Sequence, residues 1–90
     1  MKSRVTNDFW QRLSALPTQV QEQADRAHAL WRNDPYHPSL QFKRVGRRQP
    51  IYSVRIGIGY RALGWREGDI IYWYWVGSHG EYDEFLRRLK

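Results

Sequence analysis

Two arginines, Arg55 and Arg61, lie inside the apolar pattern of "IYSVRIGIGYRALGW", which runs from Ile51 to Trp65, rather than at its ends. Long cationic side chains in strand interiors normally lie on solvated faces, because burying an unpaired charge has a high free-energy cost. Either these arginines lie on an open sheet face, or they are held in place to meet an anion. Anion binding is therefore a candidate chemistry for this stretch.

Basic residues dominate the third of the chain that surrounds this stretch. Between Pro35 and Arg66 there is no acidic residue. The seven basic residues in that range are Lys43, Arg44, Arg47, Arg48, Arg55, Arg61 and Arg66. The rest of the chain holds eight basic and nine acidic residues, so this third supplies the whole net charge of +6. Such a concentration is typical of a protein that binds a polyanion, although a solvated basic face would have the same composition.

Other kinds of site find little support in the composition. The chain has no cysteine, and its three histidines, His28, His37 and His79, lack the spacing of metal ligands. We therefore expect no metal ion and no small-molecule cofactor. His28 lies mid-helix among polar residues, which predicts a surface position. The longest apolar run, from Ile70 to Gly77, is too short to span a bilayer, and no signal peptide is recognisable. These features predict a small cytoplasmic protein without a membrane partner.

The elements that must position these residues begin with two helices. Ser3 to Val5 suggests a short first strand, and Thr6 or Asn7 can cap the helix that follows. Pro17 separates this helix from a second one within "TQVQEQADRAHALWRND". Apolar residues recur at helical spacing in both segments. In the first they are Phe9, Leu13 and Leu16, and in the second Val20, Ala24, Ala27, Leu30 and Trp31. This part of the chain is predicted to be a helical hairpin.

Strand patterns then replace helical ones. Alternating or continuous apolar runs predict strands over 40–45, 51–57, 60–66 and 69–77, and the last run is expected to be covered on both faces. The tail can form a short helix with Tyr82, Phe85, Leu86 and Leu89 on one side. We therefore predict one α+β domain, residues 1–90, in which the helical hairpin packs on one face of an antiparallel meander. The other face remains free to hold Arg55 and its neighbours.

Three stretches, together with this order of elements, resemble a known family. "PIYSVRIGIGYRALGW" is similar to the double strand that carries Y-x-I-R and Y-R in the RelE/ParE-like toxins of bacterial type II toxin–antitoxin systems. "WYWVGSHGEYDEFL" resembles that family's last strand, which ends in G-[HKR] before a tail that bears a tyrosine. "NDPYHPSLQFKRVG" is similar to its P-x-x-x-x-L connection. The resemblance covers nearly the whole chain, and the RelE branch is the most similar.

The RelE branch implies a metal-independent endoribonuclease that cuts messenger RNA on the ribosome. A ribose 2′-OH attacks the adjacent phosphorus, so the site must supply a base, an acid and cations around the phosphorane. Arg55 and Arg61 are carried over as phosphate and transition-state ligands, since guanidinium binds phosphate bidentately. His79 is carried over as a general acid or base, and Tyr82 as a residue that stacks on a base or donates a proton. The remaining basic residues are expected to steer RNA or the ribosome; they are Lys43, Arg44, Arg47 and Arg48.

The resemblance also implies a partner, and it leaves other functions open. Toxins of this family are neutralised by an acidic, partly disordered antitoxin that folds on binding. Ser53 stands where the RelE branch has a lysine, and the central basic stretch has no carboxylate to act as a base. ParE-like members share the fold, lack ribonuclease activity and poison DNA gyrase. A non-catalytic inhibitor of gyrase or another protein, and a basic RNA-binding module, therefore remain alternatives.

Overall fold

Residues 1–89, which the computed structural model describes, form five strands and three α-helices. The strands are β1 (Lys2–Val5), β2 (Lys43–Arg44), β3 (Ile51–Ile56), β4 (Tyr60–Glu67) and β5 (Ile70–Ser78). The helices are α1 (Asn7–Ser14), α2 (Thr18–Asn33) and α3 (His79–Arg88). The strands build one sheet in the order β1-β5-β4-β3-β2. The predicted α+β class and the meander of β2 to β5 are confirmed.

The sheet is mixed rather than purely antiparallel. β2, β3, β4 and β5 pair with one another antiparallel, whereas β1 runs parallel to β5, with Lys2 opposite Ile70 and Val5 opposite Trp73. β1 is therefore one edge strand of the sheet, and β2 is the other. A parallel partner needs a long connection, and here the whole chain between β1 and β5 provides it.

The second strand is much shorter than its sequence pattern predicts. Leu40 belongs to a short 3₁₀ helix, Pro38–Leu40, and Gln41 follows it in the left-handed conformation with φ 46°. Only Lys43 and Arg44 then pair with β3, opposite Ser53 and Tyr52. The apolar alternation of Leu40 and Phe42 resembles a strand because both side chains are buried, although the backbone between them turns.

The helical hairpin packs on one face of the sheet, as predicted. Thr6 caps α1 by accepting a hydrogen bond from the backbone N–H of Phe9 at 3.2 Å. The main core between the hairpin and the sheet is apolar and strongly aromatic. It includes Phe9, Leu13, Val20, Ala24, Trp31, Val54, Ile56, Trp73 and Val76. Burying each large side chain of this kind contributes about 1.5–3 kcal/mol, so this core holds the hairpin in place.

The opposite face of the sheet, which was expected to be free, is covered in large part by α3. Tyr82 on this helix is buried, and together with Ile51, Leu63 and Trp75 it forms a second core. The apolar side of α3 therefore brings the end of the chain back over the strands. The hairpin covers one face as expected, but the other face is less free than expected because α3 packs on it.

A β-bulge explains why the β5 sequence is apolar at almost every position. Leu63 lies opposite Trp75 but the next residue, Gly64, lies opposite Trp73, so Tyr74 is an extra residue in β5. Trp73 consequently packs in the main core while Trp75 packs in the second one. Gly64 is required here, because a Cβ would approach the Ile71 side chain to 2.5 Å. The prediction that this strand is covered on both faces is confirmed.

No helix within residues 1–89 has the length and apolar character needed to cross a membrane.

Candidate functional site

Arg55 and Arg61 are direct cross-strand partners in β3 and β4. Their strand positions place both on the sheet face that carries Ser53 and faces α3. Arg55 is half-buried, and its Nε donates a hydrogen bond to the carbonyl oxygen of Gly57 at 2.8 Å. Arg61 is only 7% exposed. The side chain of Arg55 is therefore held against the end of its own strand, whereas Arg61 is buried.

The buried guanidinium of Arg61 lacks a carboxylate partner among the described residues, since no Asp or Glu oxygen lies within 4.0 Å of it. Its Nη2 donates a hydrogen bond to Oε1 of Gln41, and its Cζ lies 5.2 Å from the centre of the Tyr82 ring. Nη1 is buried and has no hydrogen-bond partner. An amide oxygen and an aromatic face compensate a buried cation only in part, so the described residues leave the positive charge of Arg61 without a counter-ion.

Tyr82 links Arg61 to His79. The Tyr82 ring stacks on the His79 imidazole, with 5.9 Å between ring centres and 23° between planes. Its hydroxyl group points into the protein and donates a hydrogen bond to Oγ of Ser53 at 3.1 Å. Ser53 is completely buried. The ring of Tyr82 thus separates the arginine from the histidine, while its hydroxyl anchors α3 to β3.

His79 is the exposed member of the group. It is the first residue of α3, and its backbone N–H donates to the carbonyl oxygen of Gly59 at 2.8 Å. Its Nε2 lies 3.9 Å from Oδ2 of Asp83, one helical turn later. A carboxylate at this position can orient an imidazole and stabilise its protonated form. The pair is therefore chemically suited to exchange a proton with a ligand.

A capping box fixes the start of α3 next to this pair. Oγ of Ser78 accepts a hydrogen bond from the Glu81 backbone N–H at 3.2 Å, and Oε1 of Glu81 accepts one from the Ser78 backbone N–H at 2.9 Å. The hydrogen bonds that the backbone N–H and the hydroxyl of Ser78 donate to the Glu81 carboxylate hold the pKa of Glu81 below its ordinary value. Glu81 is therefore a charged capping residue, and Asp83 is the carboxylate that faces His79.

The four basic residues predicted to steer RNA lie at the edge of the sheet. Lys43 and Arg44 form the exposed edge strand β2, while Arg47 and Arg48 are exposed in the loop that follows it. Arg44 is partly engaged within the protein, since its Nε donates to the carbonyl oxygen of Gly46 at 2.8 Å.

Three of the four predicted catalytic residues, Arg61, His79 and Tyr82, come together around the Tyr82 ring. Arg55 is the cross-strand partner of Arg61, but its side chain lines a pocket with Gln23 and Leu30 of α2.

Two residues of this site, Gln41 and Ser53, carry no obvious signal in the sequence, and Asp83 carries one only through its spacing from His79. Gln41 contacts Arg61 across twenty positions of sequence, and the strand pattern conceals its left-handed backbone. Ser53 holds Tyr82, and Asp83 faces His79. The i, i+4 spacing of His79 and Asp83 on a predicted helix is the one feature that identifies such a pair in advance. Among residues 1–89, no three His, Cys, Asp or Glu side chains cluster so that they could hold a metal ion.

The predicted surface position of His28 is wrong. Its Nε2 lies 2.9 Å from Oγ of Ser3 on β1, and its ring stacks on Trp31 at 6.3 Å. Burial lowers the pKa of His28, with a smaller contribution from the positive charge of Arg32, while Asp25 acts in the opposite direction. His28 therefore joins α2 to the edge strand on the other side of the molecule from the Arg61 cluster.

Comparisons with known proteins agree with this architecture. The model of the ParE-like toxin domain family matches residues 18–84, from the start of α2 into α3. Among solved structures, a copper-bound mutant toxin from Helicobacter pylori aligns with a TM-score of 0.59 at 18% sequence identity. The alignment covers 90% of this chain and 97% of that chain, and at this identity it supports the fold alone. A comparison with curated protein sequences found no match. Because the family model covers well over half of its length, this chain belongs to the ParE-like toxin domain family, within the RelE/ParE-like toxins that its motifs resemble.

Proposed function

We propose that this toxin is an endoribonuclease that cleaves messenger RNA at the ribosome and uses its own side chains for the chemistry. Membership of the family makes the chain the toxin of a toxin–antitoxin system, with a cognate antitoxin as its partner. The observation that carries the finer proposal is the stack of Arg61, Tyr82 and His79, with Arg55 beside Arg61 and Asp83 beside His79. Cations and a proton-exchanging group are the components that RNA cleavage requires.

In this proposal the arginines bind the scissile phosphate. Arg55 is the less buried of the two and meets the phosphate first, whereas Arg61 faces the phosphorane as negative charge develops on it. Nη1 of Arg61 is buried and lacks a hydrogen-bond partner, so a phosphate oxygen would complete its hydrogen bonding once the side chains that cover it move aside. Donors fixed in advance in a poorly solvated site stabilise a transition state strongly, because they need no reorganisation during the reaction.

In the same proposal His79 takes up the proton and Asp83 assists it. Neutral His79 takes the proton of the ribose 2′-OH as that oxygen attacks phosphorus, and Asp83 stabilises the imidazolium that forms. The bond from phosphorus to the 5′-oxygen breaks, which leaves a 2′,3′-cyclic phosphate, and the departing oxygen takes a proton from water. Tyr82 acts here as a positioning residue, since its hydroxyl is bonded to Ser53 and its ring separates the two functional groups.

A second candidate function is the non-catalytic inhibition of DNA gyrase or another protein. Two observations favour it. α3 covers much of the arginine face, and three large apolar side chains are exposed elsewhere: Trp10, Tyr36 and Ile58. Exposed apolar side chains of this size suit a protein partner better than RNA.

Mapping message ends in a purified translation mixture separates the two functions. We expect new 5′-hydroxyl ends and 2′,3′-cyclic phosphates within the reading frame, formed only when the toxin is present. A DNA supercoiling assay with gyrase, run on the same toxin preparation, should show no inhibition. Intact messages together with inhibited supercoiling would establish the second function and exclude the first.

A further inference from the structure

We propose that a groove beside the C-terminal half of α3 binds an unstacked nucleobase of the RNA, while the neighbouring phosphate lies on Arg47 and Arg48. This inference rests on the proposed RNA-directed function and locates a second contact, apart from the Arg61 cluster. We call this site the aromatic groove. Its walls include Trp65, Tyr72, Tyr74, Phe85, Gln49 and Glu67, and it encloses about 530 Å³. That volume falls within the roughly 300–1,000 Å³ of small-ligand sites.

The aromatic side chains of the groove are held by the sheet and by α3. Trp65 on β4 and Tyr72 on β5 are cross-strand partners, and both are half-buried. Tyr74 is the extra residue of the β-bulge, so it lies on the same face as Trp75. Bulges often re-aim a side chain towards a functional site. Phe85 stacks on Trp75 with 6.1 Å between ring centres, which fixes its ring at the wall of the groove. The result is a set of rigid aromatic surfaces that remain partly accessible.

A well-ordered basic loop lies at the mouth of the aromatic groove. The backbone N–H groups of Val45 and Gly46 both donate to the carbonyl oxygen of Ile51, at 2.8 and 3.1 Å. Arg44 holds the loop from the outside through its hydrogen bond to Gly46. Arg47 and Arg48 are exposed at the tip, directly before Gln49, which lines the groove. Among residues 1–89 no carboxylate forms an ion pair with either arginine.

The combination of aromatic walls and unpaired cations favours RNA over an apolar peptide. A base can stack on an aromatic ring while its phosphate binds a guanidinium, so a single nucleotide uses both features. An apolar peptide side chain would fill the groove but leave the two arginines unused. Glu67 at the rim repels phosphate from its own end of the groove, and it can accept a hydrogen bond from an amino group of the base. The aromatic walls and the charges therefore favour one orientation of the nucleotide, with its base in the groove and its phosphate on the two arginines.

The position of the groove relative to the proposed catalytic residues fits a short RNA strand. Trp65 follows Arg61 by four residues along β4 and points to the same face of the sheet. At about 3.3 Å per strand residue this separation is about 13 Å, which an extended oligonucleotide can span. The groove would thus bind a base that flanks the scissile phosphate rather than the reacting nucleotide.

Binding of a short, labelled 2′-O-methyl RNA, measured by fluorescence anisotropy, tests the proposal because such an RNA cannot be cleaved. Trp65→Leu should weaken binding on the order of tenfold through lost stacking. Tyr74→Leu provides the same test if Trp65→Leu does not fold. The matched control is Trp10→Leu, which removes an exposed aromatic side chain from α1 and should leave the affinity unchanged.

Salt dependence tests the phosphate contacts. The Arg47→Gln/Arg48→Gln double variant should reduce the slope of log affinity against log salt by about 0.7, because the two arginines share one phosphate and each phosphate contact on a single strand contributes about 0.7. The control with the same net charge is Arg26→Gln/Arg32→Gln, two exposed arginines of α2 on the opposite face of the sheet, whose slope should equal that of the wild type.

Wild-type affinity in both aromatic variants would overturn the proposal, as would equal slopes in the two double variants. If the toxin cleaves messages but the groove variants bind RNA as the wild type does, this inference is rejected and the proposed function stands. If the groove variants bind RNA more weakly but the toxin cleaves no message, the inference about the groove stands and the proposed ribonuclease function is rejected.

Discussion

Arg61 is the residue on which the proposed chemistry depends, and two neighbours hold its charged guanidinium in the protein interior. A buried guanidinium without a carboxylate is unfavourable by itself. It persists here because Gln41 accepts one of its hydrogen bonds and Tyr82 offers a ring face. A carboxylate in either place would neutralise the charge that a phosphate must meet. The neutral amide and the aromatic ring therefore hold the cation in position without neutralising its charge.

Gln41 is expected to matter for toxicity more than for stability. Gln41→Gly removes the acceptor of the Arg61 hydrogen bond, and it also relieves a left-handed backbone conformation that costs a residue with a side chain about 1–2 kcal/mol. Leaving a second buried donor of Arg61 unpaired costs about 1–3 kcal/mol, which the relieved backbone strain offsets. We therefore expect a thermal unfolding midpoint close to that of the wild type together with weaker growth inhibition, which approaches that of Arg61→Ala. Gln41→Asn tolerates the same backbone and serves as the control for strain. Full toxicity of Gln41→Gly at matched protein levels would show that Gln41 does not position Arg61.

His28 is expected to make stability depend on pH. Burial lowers its pKa in the folded state below the value in the unfolded chain, so the folded state favours the neutral imidazole. Its contribution is therefore fully present above the unfolded value of about 6.5 and is lost as pH falls through the lower folded value. Urea unfolding at pH 7.5 and pH 5 should show a larger loss of stability for the wild type than for His28→Gln. Equal losses in the two proteins would mean that His28 does not titrate between the two states.

At the scale of elements, the sequence predicts which helices and strands exist better than it predicts where they lie in the fold. The two helices of the hairpin follow from the spacing of Phe9, Leu13, Val20 and Ala24, and the meander follows from alternation and turn residues. The apolar side of the tail predicts a helix but not the sheet face that it covers, because burial against either face satisfies the same pattern. The parallel pairing of β1 depends on contacts across almost seventy residues, with Lys2 opposite Ile70.

The candidate site was predicted in the same uneven way. Arg55, Arg61, His79 and Tyr82 stand out in the sequence by residue type and by resemblance to the family. Gln41 and Ser53 do not, since their roles arise from contacts between distant segments. Neither a polar residue in an alternating run nor a serine in a strand carries a local signal for such contacts.

The anchoring of α3 leads to a prediction about Tyr82. Tyr82→Phe removes the hydroxyl that bonds to Ser53 but keeps the ring between Arg61 and His79. We expect a loss of about 1 kcal/mol in the free energy of unfolding, with toxicity preserved. Tyr82→Ala should lose both stability and toxicity, because α3 loses its central apolar contact. Denaturant unfolding and growth curves measure the two effects. If Tyr82→Phe is folded but non-toxic, the hydroxyl has a chemical role and the positioning role proposed for Tyr82 is incorrect.

At the scale of the whole molecule, charge and exposed apolar surface both indicate how the antitoxin binds. The net charge of +6 arises between Pro35 and Arg66, and Trp10, Tyr36 and Ile58 are exposed, the last at 91%. We propose that an acidic, partly disordered antitoxin neutralises the basic band and covers part of this apolar surface.

The affinity for the antitoxin should accordingly fall with salt without vanishing. Raising salt from 0.1 to 1 M shortens the screening length from about 10 to about 3 Å, so the charged part of the interface weakens while the apolar part persists. Co-purification from the native host followed by calorimetry at several salt concentrations measures this. Recovery of the toxin without a partner at low salt and native expression would contradict the proposal.

The ribonuclease claim is tested most directly by single-turnover cleavage with His79→Gln on programmed ribosomes. Glutamine keeps the size and polarity of the side chain at the start of α3 but cannot exchange a proton. We predict that the variant binds ribosomes as the wild type does and cleaves roughly a hundredfold more slowly or worse. Cleavage by His79→Gln at the wild-type rate would show that His79 has no part in proton transfer and would contradict the proposed mechanism.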